Sequence, residues 1–295
     1  MKRAATVIVL VAALVLAGVV YGGRAAAPGH GILLLRTEAN LTLQQILLWH
    51  PGAASAQPLG SSSDWILTPK WSPDGSSIAF AEQQGGWSDP ADDEIWTMRA
   101  DGSGAKQLTK DATRPNVFRA YTPSWSPDSR RIVFVRETEN KPYQALVVVN
   151  VRTGHERNLS VAGESPAWGK PGIAYVADYR RIMLVSPAGG RAKVLAPVTA
   201  TALVWSSRSE LAAMQSDRIL IFTAKGRQVG FLRVPFKKTN ACGIAWSPDG
   251  KRLLVRTSRR TVGLWSVTPA GGGRWRRLPL TIGKSNFENC AVSWG

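Results

Sequence analysis

The residue types that most often perform acid–base or metal chemistry are few in this chain and stand far apart. Its 295 residues include three histidines, His30, His50 and His155, and each falls in a predicted turn or linker. The pair His155-Glu156 lacks the second histidine of a zinc-protease helix, and the Gly-x-Ser-x-Gly motif of serine hydrolases does not occur. We therefore predict no catalytic residue, no cofactor and no bound metal, and we interpret the chain as a non-enzyme.

Carboxylates recur in two patterns, and neither is typical of a catalytic pair. Asp74, Asp128 and Asp249 each follow a Ser-Pro dipeptide in separate copies of a repeat, so we expect them to cap turn amides. A second group, at positions 89, 92, 93 and 94, has the residue types of a cation site. An exposed acidic loop is the preferred interpretation of that group.

A stretch that occurs three times must position these side chains. It reads Trp-Ser-Pro-Asp-Gly at 71–75 and 246–250 and Trp-Ser-Pro-Asp-Ser at 125–129, and a short apolar run follows each copy. Proline presets the turn dihedral, aspartate bonds back to the backbone, and glycine accepts a positive φ. Each copy therefore predicts a β-hairpin.

Degenerate copies extend the repeat to six tryptophan anchors spaced 37–54 residues apart: Trp71, Trp125, Trp168, Trp205, Trp246 and Trp294. A four-stranded propeller blade needs about 40–50 residues, so the anchors predict six blades. Residues 31–60 read as three strands that lack a first strand, and the last anchor has no strands after it. We therefore predict that the N- and C-terminal segments pair within one blade, which removes exposed sheet edges.

The hairpin motif resembles the repeat of a known family. Together with the Asp-Gly-Ser-Gly turn at 101–104 and the Gln-Leu-Thr strand at 107–109, it is similar to the repeat of periplasmic TolB-like six-bladed β-propellers. The resemblance spans residues 31–295 in architecture and implies an all-β propeller domain over that range. Such a motif is specific for the fold and does not by itself assign a function.

Residues 1–27 have the three-part pattern of an export signal. A basic start at 1–3 precedes an apolar stretch at 4–20, and Arg24 follows it. These 17 residues lie at the lower limit of the about 17–25 that span a bilayer. The segment is interpreted as a cleaved signal peptide or a retained signal-anchor helix, and either places residues 31–295 outside the cytoplasm, in the periplasm or at the cell surface.

The two cysteines of the chain occupy equivalent repeat positions. Cys242 and Cys290 each stand four residues before a tryptophan anchor, in blades predicted to be neighbours. An exported protein meets conditions in which disulfides form. Two readings stay open: a disulfide that fastens the closing blade, or two buried thiols farther apart than the about 7 Å that a disulfide allows.

The net charge of +17 either keeps the protein soluble or attracts it to an anionic surface. In a propeller, the turns after the first and third strands of every blade share one face. Ten basic residues fall in those turns and predict a basic binding face: Arg130, Arg131, Arg152, Arg191, Lys193, Arg227, Lys251, Arg252, Arg274 and Arg276. We expect this face to bind anionic lipid or an anionic envelope polymer, and export removes nucleic acid from its reach.

These observations favour an exported, non-catalytic propeller scaffold, monomeric, that binds an envelope protein or an anionic surface. The N-terminal segment holds it to the membrane if it is not cleaved. Two alternatives stay open. One is a propeller enzyme of the lactonase or glycan-lyase type with a site in its channel, and the other is a ligand-sensing or lid propeller that serves a separate hydrolase.

Overall fold

The computed structural model describes residues 31–37, 44–63, 65–83, 93–111, 117–139, 144–235, 240–258, 263–269, 273–280 and 291–295. Regular structure in these ranges is β, with no α-helix, so the all-β prediction is confirmed. Within the same ranges no helical segment has the length and apolar character that crossing a membrane requires. The predicted signal segment, His30 and Cys290 lie outside the described residues.

The described part of the chain contains 24 strands. In chain order they are β1 (Ile32–Thr37), β2 (Gln44–Trp49), β3 (Gln57–Ser63), β4 (Trp65–Trp71), β5 (Ser77–Gln83), β6 (Asp93–Arg99), β7 (Lys106–Gln107), β8 (Val117–Trp125), β9 (Arg131–Thr138), β10 (Gln144–Asn150), β11 (Glu156–Ala162), β12 (Glu164–Gly169), β13 (Gly172–Ala177), β14 (Arg181–Val185), β15 (Lys193–Ala196), β16 (Ala202–Trp205), β17 (Glu210–Met214), β18 (Arg218–Thr223), β19 (Gln228–Arg233), β20 (Asn240–Trp246), β21 (Leu253–Ser258), β22 (Gly263–Val267), β23 (Trp275–Arg277) and β24 (Val292–Trp294).

These strands form sheets in which sequential neighbours pair antiparallel. Four sheets have four strands each, in the orders β24-β1-β2-β3, β12-β13-β14-β15, β16-β17-β18-β19 and β20-β21-β22-β23. The other eight described strands form one sheet, in which β4–β7 and β8–β11 are two antiparallel groups. A single parallel residue pair, Asp93 with Arg119, joins the two groups.

The two terminal segments of the described chain pair with each other, as predicted. β24 runs antiparallel to β1, with Ile32 opposite Trp294 and Leu34 opposite Val292. The backbone N–H of Gly295 extends the ladder with a hydrogen bond of 3.1 Å to the carbonyl of Gly31. One four-stranded sheet is therefore assembled from both ends of the described part of the chain.

The first strand of each group contacts the first strand of the next. β4 contacts β8, β8 contacts β12, β12 contacts β16, β16 contacts β20, β20 contacts β24, and β24 contacts β4. We call these six the ring strands, and each contains one of the tryptophan anchors. This closed cycle of contacts between twisted sheets is the arrangement of a β-propeller.

The core lies between neighbouring sheets, which explains the uninterrupted apolar runs in the sequence. Successive side chains of a strand point to opposite faces. In β1, Ile32 and Leu34 pack against the β20–β23 sheet, whereas Leu33 and Leu35 pack on the other side, with Trp71 among their neighbours. Both faces of this strand are therefore buried, and neither can carry the polar residues of a solvent-exposed face.

Candidate binding site

The three full copies of the Trp-Ser-Pro-Asp motif form the same hydrogen-bonded turn. In the turn after β8, the hydroxyl of Ser126 donates to Asp128 and accepts the backbone N–H of Arg131 at 2.9 Å. The same carboxylate accepts the N–H of Arg130 at 3.1 Å. Equivalent bonds form in the other two copies, around Asp74 and around Asp249. The predicted capping role of these aspartates is confirmed.

The same hydrogen bonds keep these carboxylates ionised. The Ser126 hydroxyl, followed by the Arg130 amide, lowers the pKa of Asp128 below its ordinary value. The Ser247 hydroxyl does the same for the pKa of Asp249, helped by the Lys251 amide. These carboxylates use their oxygen lone pairs to accept hydrogen bonds within the turns. The aspartates therefore stabilise the turns that follow the ring strands.

The ends of the ring strands surround a cavity of about 390 Å³. All six tryptophan anchors line it, together with residues of the turns that follow them. Its lining residues, all within the described ranges, include one side-chain carboxylate, that of Asp74, and no histidine. Nowhere in those ranges do three or more His, Cys, Asp or Glu side chains come together as a metal-binding group.

The residue just before each anchor also lines this cavity, and these six positions differ in chemistry around the ring. Ser293, Lys70 and Ser124 occupy three consecutive ring strands, β24, β4 and β8. Ala167, Val204 and Ala245 occupy the other three, β12, β16 and β20. At these six positions the wall therefore has a polar half with one cation and an apolar half, while Lys170 and serines of the turns line the cavity beyond the anchors.

Lys70 is the site residue that the sequence interpretation missed. Its side chain is half-buried, and its Nζ donates a hydrogen bond of 3.3 Å to the backbone carbonyl of Val292. Burial lowers the pKa of Lys70 from 10.5 to about 8. A signal was available, because alignment of the six anchors places a lysine where every other repeat has a small or apolar residue.

The predicted basic residues lie in or next to the turns that follow the first and third strands of the groups. We call the side of the molecule that carries these turns the turn face. Nine of the ten side chains are exposed, and Arg131 is half-buried. The guanidinium of Arg131 stacks on the Trp168 ring at 5.0 Å, and that of Arg252 stacks on the Trp294 ring at 4.9 Å. These two arginines therefore connect neighbouring sheets in addition to carrying charge.

The turn face is not uniformly basic. Asp74, Asp101, Asp128 and Asp249 are exposed among the arginines and lysines. The side chain of Arg131 comes within 3.9 Å of Asp128, and the backbone N–H of Lys251 donates to Asp249. Positive charge still exceeds negative charge on this face among the described residues.

The prediction of an exposed acidic loop is wrong for the two members of that group that the structure describes. Asp93 and Glu94 are 5% and 2% exposed at the start of β6. The hydroxyl of Thr109 donates to the Glu94 carboxylate and accepts the N–H of Ile95. Burial is tolerated here because that carboxylate is hydrogen-bonded. The other two members, Asp89 and Asp92, lie outside the described residues. Of the three histidines, His50 and His155 are described, and both are exposed.

Arg256 ties the β20–β23 sheet to the sheet that both termini build. Its side chain is 1% exposed, and it donates to the carbonyl of Ala291 at 2.6 Å and to that of Leu35 at 3.1 Å. Cys242, from the same sheet, takes part in a disulfide. Cys290 lies outside the described residues, so its pairing with Cys242 stays a proposal.

Comparison with known proteins relates this fold to TolB. No family model matches the sequence. Over 77 residues the chain is 34% identical to the Tol-Pal system protein TolB of Zymomonas mobilis subsp. mobilis, a match that covers 25% of this chain and 16% of that protein. The structure is similar to that of TolB from Acinetobacter baumannii, with a TM-score of 0.67, 14% identity, and coverage of 90% of this chain and 66% of that one.

A prolyl endopeptidase structure is also similar, with a TM-score of 0.53, 13% identity, and coverage of 84% of this chain and 42% of that one. The chain thus spans less than two thirds of the length of each of these relatives. At such low identity the structural similarities show the fold alone. That fold is a TolB-like β-propeller.

Proposed function

We propose that the chain is a six-bladed, TolB-like β-propeller that acts as a non-catalytic binding scaffold at the cell envelope. The closed cycle of six ring strands supports the blade count. The eight-stranded sheet is compatible with it, because one residue pair joins two four-stranded groups. Each group then corresponds to one blade, and the pairing of β24 with β1 closes the ring.

The observation that carries the binding role is the exposed positive charge of the turn face. Nine predicted basic side chains point to solvent on the side where the central cavity opens. The partner is an envelope protein or an anionic surface, because a concentration of positive charge attracts anionic partners. The chemistry of the cavity lining supports a scaffold over a channel-site enzyme, since acid–base catalysis commonly uses paired carboxylates or histidine.

The envelope location rests on two independent supports. Residues 1–27 have the pattern of an export signal, and the partial match is to a protein of the Tol-Pal system. The segment either leaves the protein anchored in the membrane or is removed after export. In both cases the propeller, as a monomer, faces the periplasm or the cell surface.

A charge-reversal comparison tests the turn face. Arg152→Glu with Arg227→Glu removes two exposed charges from it, and Arg180→Glu with Arg181→Glu changes two exposed arginines at the opposite ends of the strands. A membrane-adjacent basic residue contributes about 1 kcal/mol. The first pair of changes should therefore lower the affinity of the full chain for anionic vesicles, measured by co-sedimentation, at least about tenfold. Added salt should weaken the binding of the wild-type chain.

The second pair of changes should have little effect. Both variants keep the same N-terminal segment, so insertion of that segment into vesicles does not distinguish them. Equal losses in the two variants, or wild-type binding that salt leaves unchanged, would contradict the assignment of the turn face.

We also propose that Cys242 pairs with Cys290 and fastens the closing sheet. Arg256 supports this proposal, because it already connects the strand next to Cys242 with the backbone at Ala291. Thiol titration of the denatured, unreduced chain should detect no reactive thiol. Detection of two thiols per chain would exclude the pairing.

A further inference from the structure

We propose that the central cavity is a binding site for a carboxylate group attached to a short apolar chain. Neither the charge of the turn face nor the similarity to TolB assigns such a ligand. The inference rests on how the six positions before the tryptophan anchors divide the wall, and on the charge of one of them.

The polar half of the wall presents three hydrogen-bond donors side by side. The Ser293 hydroxyl oxygen accepts the backbone N–H of Trp71 at 3.1 Å, and that of Ser124 accepts the N–H of Trp168 at 3.0 Å. Both bonds use an oxygen lone pair, so each hydroxyl keeps its O–H for donation. Lys70 lies on the ring strand between them and contributes an ammonium group.

The ammonium of Lys70 lacks a carboxylate partner among the described residues. Its one hydrogen bond there goes to the carbonyl of Val292, which leaves two of its three donors for a ligand. Arg136, a buried cation, has carboxylate partners, since it pairs with Asp111 and with Glu156. The Asp74 carboxylate also lines the cavity, but it accepts bonds from Ser72 and Ser76.

A desolvated cation is costly unless an opposite charge accompanies it. A carboxylate placed against Lys70 would supply that charge, and its two oxygens would have the hydroxyls of Ser124 and Ser293 as further donors. A cationic ligand would be repelled by Lys70. The donors therefore favour an anion that presents acceptor atoms, and a carboxylate meets this requirement.

The apolar half decides what the carboxylate is attached to. Ala167, Val204 and Ala245 offer no side-chain donor or acceptor to an occupant. A sugar or a polyol placed against these three side chains would lose hydrogen bonds, whereas an alkyl chain or an apolar side chain would lose none. The volume of about 390 Å³ is within the range of about 300–1,000 Å³ of small-molecule sites.

Two sources offer this chemistry: a free small carboxylate, or the C-terminal carboxylate of a partner chain that ends in an apolar residue. The test uses the full chain in non-ionic detergent with hexanoate, hexanol and hexylamine as probes. Two peptides that end in leucine are added, one with a free terminal carboxylate and one amidated. Calorimetry measures affinity, and mass spectrometry measures the acetylation rate of Lys70 with and without each probe.

Hexanoate, or the peptide with the free carboxylate, should bind and slow acetylation of Lys70 several-fold. Binding of hexanoate indicates a free carboxylate as the ligand, and binding of the acid peptide alone indicates the end of a partner chain. Lys70→Met should lower the affinity for the probe that binds at least about tenfold. Lys106→Met, a change of an exposed lysine in the same group of strands, should leave affinity unchanged.

The protection of Lys70 in the wild-type chain decides the question even if Lys70→Met does not fold. The proposal is overturned if no carboxylate probe protects Lys70, if hexanol or hexylamine binds as tightly as hexanoate, or if the amidated peptide binds as tightly as the free acid.

Discussion

The indole N–H of Trp125 donates a hydrogen bond of 3.0 Å to the backbone carbonyl of Lys70, the residue before the preceding anchor. Trp246 repeats the relationship with the carbonyl of Val204 at 3.1 Å. In each case a tryptophan on one ring strand bonds to the neighbouring ring strand. At these two anchors the indole therefore holds successive sheets together, in addition to filling space between them.

We expect Trp125→Phe to lower the free energy of unfolding by about 1 kcal/mol more than Trp205→Phe. Both changes remove the same atoms from buried anchors of the ring. The Trp205 indole N–H has no hydrogen-bond partner among the described residues, so its change breaks no hydrogen bond. Urea denaturation of the two variants measures the difference, and equal losses would show that the bond to Lys70 adds no stability.

The turns and the pairing of the terminal strands were predictable from the sequence. The Ser-Pro-Asp turns follow from residues within five positions of one another, as the bonds among Ser126, Asp128 and Arg131 show. The pairing of β24 with β1 was predictable because the period of the repeat left one sheet incomplete at each end. Both arguments use spacing along the chain, which a sequence displays directly.

The features that the sequence interpretation missed depend on contacts between distant residues. Burial of Glu94 depends on Thr109, which lies 15 residues further along the chain, after β7. The role of Arg131 between sheets depends on Trp168 of the next group. The role of Lys70 depends on six ring positions, far apart in the sequence, that line one cavity. Such roles follow from the arrangement of whole sheets, which the turn motif does not specify.

Asp128→Asn should destabilise the protein at neutral pH by about 1 kcal/mol, because the amide replaces an ionised acceptor of two turn hydrogen bonds. The folded-state pKa of Asp128 is below its ordinary value of 3.8. The stabilisation is therefore fully present above about pH 4 and is lost as the pH falls through the folded-state pKa.

The difference in stability between wild type and Asp128→Asn should thus shrink in acid, as followed by urea denaturation from pH 7 to pH 3. Glu139→Gln changes an exposed carboxylate near the end of β9 and serves as the control. A difference that stays constant down to pH 3 would assign the loss to the shape of the asparagine and not to the carboxylate charge.

Arg256→Met should loosen the sheet that both ends of the chain build. The change leaves the carbonyls of Ala291 and Leu35 without their buried donors, which costs about 2 kcal/mol or more. Hydrogen exchange should rise first in β1 and β24. Arg277→Met, a change of an exposed arginine in the same sheet as Arg256, is the control, and a uniform rise of exchange across all sheets would contradict a local fastening role.

Lys70→Met should stabilise the free protein at pH 7, in contrast to the loss expected for the other changes. Burial lowers the folded-state pKa of Lys70 to about 8, from 10.5. Burying the charged ammonium therefore costs folding free energy at any pH at which the folded protein keeps this proton. This cost is full below pH 8 and disappears as the pH rises to about 10.5, where the unfolded chain also loses the proton. Removing the amine should therefore raise the free energy of unfolding by on the order of 1–3 kcal/mol at pH 7, with the gain shrinking between pH 8 and 10.5. Chemical denaturation of wild type, Lys70→Met and Lys106→Met across this range measures it, and a gain that does not depend on pH would mean that packing and not charge is responsible.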